Sequence, residues 1–159
     1  MDTHTTLFQH NRWANLRILE ACADLTDEQL DATLVGTFGS IRDTLQHIVT
    51  AEQSYFSRIS TGQPYRRLKD APPLTIPEMI EIADTTGTGL VEWAPNVKAD
   101  DMVNVDWEGT PRDVPKTILL TQAINHATEH RSQIMAILTE IGIQPPDLSG
   151  WTYFDQLEQ

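Results

Sequence analysis

In the last third of the chain, apolar side chains recur with the period of an α-helix, and two histidines take their place in the series. Leu119, Ala123, His126, His130, Ile134, Ile137 and Ile141 follow one another at steps of four, three, four, four, three and four. That spacing marks one face of a helix and is incompatible with the two-residue period of a half-buried strand. It predicts a long helix from about Pro115 to Ile141, with an apolar face that other helices must cover. Pro115 suits the first turn, where its missing N–H has no intrahelical partner to lose, and Gly142 suits the C-terminal cap.

Three further stretches can supply that cover. Between about Thr5 and Ala23, the residues Leu7, Ala14, Ile18 and Cys22, continued by Leu25, fall on one helical face. The segment Asp24 to Asp31 reads as a polar turn, and Val35-Gly36-Thr37-Phe38-Gly39 as a loop. Ser40, followed three residues later by Asp43, predicts a capping box. It opens a second helix from Ile41 to about Ser60, with Ile41, Leu45, Ile48, Tyr55 and Ile59 as its stripe; Thr61-Gly62-Gln63-Pro64 stops it. A third helix starts at Ile76-Pro77-Glu78 and ends before Pro95, although Thr85-Thr86-Gly87-Thr88-Gly89 is poor in helix formers. Met102, Val103, Val105 and Trp107, then Glu108-Gly109-Thr110 and Val114, suggest a short β-hairpin or an extended loop. The tail, with Trp151, Tyr153 and Phe154, is expected to pack back on the helices. The fold class expected is therefore all-α: a four-helix bundle in one domain, with a long excursion between its third and fourth helices.

Chemistry concentrates on the histidines. His126 and His130 lie one turn apart on the core-facing stripe, with Cβ atoms about 5–6 Å apart, so both imidazoles can reach one cation. Neutral imidazole suits zinc, nickel, copper and iron. His47, on the flank of the second helix's stripe, is the natural third ligand once the two helices lie side by side. Three protein ligands leave a coordination position open, the usual mark of a catalytic rather than a closed site. The plainer alternative is that these histidines are hydrogen-bonded core residues. His126-Ala127-Thr128-Glu129-His130 also fits the H-x-x-E-H pattern of inverted zinc proteases. That pattern needs a distant downstream glutamate, and only Glu140 and Glu158 follow. Glu129 is expected to face solvent, His4 and His10 to lie on the surface, and Cys22 to be a small core side chain.

Composition narrows the function. With 11 basic against 23 acidic residues the net charge is −12, which disfavours nucleic-acid partners because phosphates need cations to neutralise them. No basic and apolar leader opens the sequence, and no apolar run approaches a membrane span. A lone cysteine fits a reducing compartment. The expected setting is the cytoplasm, with no membrane association.

Several segments together resemble the DinB family of metalloenzyme-like, damage-inducible proteins. They are Asn11-Arg12-Trp13-Ala14-Asn15; the run from Phe38 through Ser40-Ile41-Arg42-Asp43 to His47-Ile48; Asn125-His126 with Glu129-His130-Arg131-Ser132-Gln133-Ile134; and Ile141-Gly142-Ile143-Gln144-Pro145-Pro146. The likeness covers roughly residues 5–154. It implies a four-helix bundle, commonly a homodimer, with a metal site on His47, His126 and His130 that often takes zinc or nickel. Ser132 stands where the family usually has glycine, and Glu129 where a second histidine is frequent. By resemblance, the activity expected is thiol S-transfer with a low-molecular-weight thiol such as bacillithiol, mycothiol or glutathione as co-substrate. Tyr55 and Gln133 are candidates to line the pocket for a small-molecule substrate. Metal-assisted hydrolysis on the same site, and a non-catalytic stress-response or binding module with a structural metal, are the alternatives.

Overall fold

The computed structural model describes residues 2–158, Trp107 by its backbone alone. Four long helices make the bundle: α1 (Thr3–Cys22), α3 (Ile41–Thr61), α4 (Ile76–Trp93) and α5 (Lys116–Glu140). A single-turn helix α2 (Asp27–Leu30) and a C-terminal helix α6 (Gly150–Leu157) are added to them. Strands β1 (Met102–Trp107) and β2 (Thr110–Pro115) form an antiparallel hairpin with Trp107 opposite Thr110. Its two central residues, Glu108 and Gly109, both have positive φ, at 52° and 83°, as the tightest hairpin turns require. Among the described residues, no helix is long and apolar enough to cross a membrane.

Local chemistry explains most of the boundaries. Asp2 caps α1 two residues earlier than its apolar pattern suggests, because its carboxylate accepts from the His4 and Thr5 amides. The expected turn before Asp31 instead contains α2, nucleated by a capping box in which Thr26 and Gln29 exchange side-chain and backbone bonds. Ser40 accepts from the Asp43 amide as predicted, but the return bond is different: the Ser40 hydroxyl donates to the Asp43 carboxylate. A second capping box, Thr75 with Glu78, starts α4. Gly142, at φ 79°, ends α5. Its amide reaches Thr139 O and that of Ile143 reaches Leu138 O, the bond pair of a Schellman cap.

The glycine-rich middle of α4 is helical for a tertiary reason. Gly87 and Gly89 are buried where neighbouring helices come close: a Cβ on Gly89 would lie 2.3 Å from the Phe56 ring, and one on Gly87 2.7 Å from the Arg12 side chain. Packing space, not helix propensity, selects these residues.

The core is apolar at both ends and polar in the middle. One cluster gathers Ile18, Cys22, Leu45, Val49, Ala83 and Ile137, and the other Phe8, Ile59, Leu90, Leu120 and Ala123. Between them lie buried Asn11 and Asn15 of α1, Glu52 of α3, Thr86 of α4 and Arg131 of α5. The tail packs back on α1 as a helix. Tyr153 is buried there, its ring edge-on to His10 and tilted against Trp13, and the Trp13 indole donates to Gln156, whereas Trp151 and Phe154, expected to pack back as well, are exposed. His10, expected on the surface, is therefore half-buried, and its Nε2 bonds Leu148 O at 2.9 Å. Sequence spacing on α1 alone does not reveal this partner, which lies 138 residues away.

Candidate metal centre

Helices α3 and α5 pack side by side, and the seam between them brings the three predicted histidines together. The ring centroids of His47, His126 and His130 form a near-equilateral triangle, 4.7, 4.7 and 4.5 Å on its sides. One nitrogen from each lies within 4.8 Å of the other two, close enough for all three to hold one metal ion. The Nε2 atoms of His47 and His126 face each other at 2.9 Å. A tetrahedral ion with bonds of roughly 2.0–2.1 Å separates its ligand atoms by about 3.3 Å. The triad is thus close to the size of a coordination shell.

The protonation states also suit a cation. Burial, reinforced by the charges that His130 and His47 would carry, lowers the His126 pKa to about 4. Burial and then His130 lower that of His47. At neutral pH both rings therefore offer lone pairs. For His130, the tautomer is set by Gln133. Gln133 Oε1 lies 3.0 Å from His130 Nδ1 and also accepts from the Phe38 amide at 3.0 Å. An atom that accepts from a backbone N–H is the amide oxygen, so His130 Nδ1 must carry the proton and Nε2 is left free. Gln133 thus holds a ligand-type histidine in place. In the plainer alternative the facing Nε2 atoms of His47 and His126 satisfy each other, one as donor and one as acceptor.

The remaining neighbours are aromatic. Phe38, from the loop before α3, stacks on His47 at 4.1 Å and meets His130 edge-on at 5.3 Å, while staying 52 % exposed. The Tyr55 ring stands edge-on to His126 at 5.9 Å. Among the described residues, no carboxylate or thiol joins the cluster. Glu129, Glu140 and Glu158 are exposed and none joins the cluster among the described residues, which leaves the inverted-protease pattern without its base and its distant ligand. Cys22 is buried among apolar residues, and burial raises its thiol pKa to about 12.

Behind the triad lies the polar layer of the core, which sequence reasoning passed over. Asn11 and Asn15 each donate to Glu52 Oε2, at 2.8 and 2.9 Å, and each accepts from Arg131, at 2.9 and 2.5 Å. Thr128 accepts from the same guanidinium at 3.0 Å. The two asparagines pass a hydrogen bond from cation to anion, their amides oriented by the charges on either side. Burial raises the Glu52 pKa, against the pull of Asn11, Arg131, Asn15 and Thr86. A signal for this layer exists in the sequence. Glu52 interrupts the stripe of α3 four residues after Ile48 and seven before Ile59, and Asn11 and Asn15 interrupt that of α1 between Phe8 and Ile18.

The sequence profile of the DinB family matches residues 1–158. The chain belongs to the DinB family. Solved structures with the same fold include a DinB-like protein from Bacillus cereus, 22 % identical, with a TM-score of 0.62 over 87 % of this chain and 91 % of that one. Another is the DinB-like protein YjoA from Bacillus subtilis, 15 % identical, with a TM-score of 0.65 over 93 % of this chain and 99 % of that one. No curated protein matches the chain. Asn11, Asn15 and Arg131 fall within the segments by which the sequence resembles DinB proteins, and in this structure they belong to one buried network.

Proposed function

We propose that this DinB protein is a divalent-metal-dependent enzyme acting on a low-molecular-weight thiol, with His47, His126 and His130 as its metal ligands. The observation that carries this reading is the convergence of three imidazoles with no fourth side-chain ligand among the described residues. His47, His126 and His130 would hold a zinc or nickel ion, which would supply a Lewis acid able to lower the pKa of a thiol. The chain's own groups do the rest. Gln133 keeps the proton of His130 on Nδ1 and its Nε2 free. Phe38 and Tyr55 flank the triad with aromatic rings.

The choice of thiol over water rests on the same surroundings. Hydrolysis by an activated water is ordinarily assisted by a general base, and among the described residues no carboxylate joins the triad. A thiol, with a free pKa near 8.5, needs far less help. A reducing cytoplasm suits both the thiol and the buried free Cys22, and the family resemblance adds a homodimer, which sedimentation would check.

Elemental analysis of the purified protein beside the His126→Ala and His47→Ala variants tests the site. About one divalent ion per chain is expected in the parent, with marked loss in both variants. Unchanged metal in both would remove the site. Thiol conjugation assayed against ester hydrolysis with metal-reconstituted protein then decides the reaction, and activity in neither assay would favour a binding module with a structural metal.

A further inference from the structure

A cavity of about 730 Å³ lies between the N-terminal turns of α1, residues 94–99 and the first half of α5. It is not part of the metal centre. Leu120, Ile124 and Thr128, which line it, stand roughly 120–160° around α5 from His126, at about 3.6 residues per turn. The helix therefore turns one face to the histidines and another to this cavity. A space of this volume is ordinary for a small-molecule site.

Two features define what it can hold. The first is the lack of charge. None of the described residues that line the cavity is an Asp, Glu, Lys or Arg, although these types make up 21 % of the chain. Phe8, Ala94 and Leu120 give it a buried apolar floor, and Leu7, from the apolar stripe of α1, is left 44 % exposed there. A charged group carried into this space would lose water and meet no counter-ion. The second feature is one hydroxyl. On α5, Thr121 and Thr139 donate to the carbonyls of Thr117 and Met135, one turn back. Thr128 does otherwise: its hydroxyl accepts from the buried Arg131 guanidinium at 3.0 Å and donates to no described residue. An oxygen that accepts from a cation keeps its own proton to give, and the cation makes it a stronger donor.

We propose that this cavity binds an uncharged, elongated apolar molecule with a carbonyl-type acceptor at one end, held by the Thr128 hydroxyl. The apolar body lies along α5 against Phe8, Leu120 and Ile124. Thr117 and Thr128, both on the cavity wall, are about 16 Å apart along the helix axis at 1.5 Å per residue, which sets the length available to the ligand. The site is separate from the metal centre and does not depend on the reaction proposed for it.

Prodan, an uncharged naphthalene bearing a propionyl carbonyl, is a probe of this class, and its emission shifts to the blue on burial. Titrated into the metal-loaded protein, it should bind saturably at about one per chain. Thr121→Trp puts a large side chain on an exposed part of the cavity wall. It should weaken binding at least about tenfold by filling the space, with unchanged metal content as the sign of an intact fold. Thr128→Val keeps the shape and removes the hydroxyl, so binding should fall about three- to tenfold, the worth of one hydrogen bond. Thr128→Ser should restore it. No saturable binding to the parent, or parent-like affinity in either Thr121→Trp or Thr128→Val, would overturn the inference. So would binding that weakens as the protein is concentrated, since a second copy would then be the occupant.

Discussion

Removing the buried carboxylate of Glu52 should cost this protein a large part of its stability, and the manner of removal should matter. Glu52 is 3 % exposed and Arg131 4 %. Their charges are balanced across Asn11 and Asn15, not by direct contact. In Glu52→Ala the two asparagine amides lose their acceptor and Arg131 is left as an uncompensated buried cation, for which about 3–5 kcal/mol is the usual cost. That is comparable with the whole stability of a marginal domain, about 5–15 kcal/mol. Glu52→Gln is different. Its amide oxygen can replace Oε2 in accepting from both asparagines, and its NH₂ can face the Thr86 oxygen that now lies 3.4 Å from Oε1. Only the charge is lost. That still leaves Arg131 uncompensated, so Glu52→Gln should fall at the lower end of the same range, about 3 kcal/mol, sparing only the loss of the asparagines' acceptor. Urea unfolding reads both variants as shifts in midpoint at constant slope. The decisive measurement is the cycle with Arg131→Ala. Because each single change orphans the other charge, the double variant should lose less than the sum by at least about 1 kcal/mol. Simple additivity, or a Glu52→Gln protein as stable as the parent, would refute the account of the layer as one charge-balanced unit.

Three more outcomes follow from the geometry. In the metal-free protein, His126 has a pKa of about 4 against 6.5 for a free imidazole, so below pH 6.5 the unfolded chain binds a proton that the folded chain refuses. Stability should be complete above about pH 6.5 and fall steadily toward about pH 4, as thermal melts across that window would show; a flat profile would contradict the buried neutral ring. Gln133→Ala leaves His130 Nδ1 without its acceptor and releases the Phe38 amide; metal affinity, measured by chelator competition, should drop about 10- to 100-fold. Gly89→Ala gains about 1 kcal/mol of helix propensity, but its Cβ would sit 2.3 Å from Phe56. Overpacking of about 1–3 kcal/mol should exceed that gain and lower the melting temperature, and a stabilised variant would show that the α3–α4 contact yields more readily than the spacing implies.

How far the site was legible depended on how local its signal is. His126 and His130 are one turn apart on a single helix, so the apolar period around them fixed both their shared face and their reach to one point. His47 had no such link: it lies on the flank of its helix, and its partnership came from the expected packing of two helices and from the family likeness. Gln133 was a candidate to line the pocket, but its bond to His130 and to a loop 95 residues away gives it a positioning part that spacing does not disclose. Phe38 and Glu52 had weaker signals still. A loop phenylalanine carries no period, and a single acid in an apolar stripe marks a buried charge without naming what balances it.

What the amino-acid order settled alone is what neighbours along the chain can settle. Hydrophobic period set the long helices and side-chain caps such as Thr75 with Glu78 set where they begin, while for residues 102–114 the order left a hairpin and an extended loop both open. Tertiary structure decided everything that joins distant residues: the helical course of α4 through its glycines, the burial of His10 under the tail, the Asn11–Asn15–Glu52–Arg131 layer, and the meeting of His47 with the pair on α5. The reason is geometric. A helix fixes the relative positions of residues three and four apart within itself, whereas the rotation and register of two packed helices depend on every side chain along their seam at once.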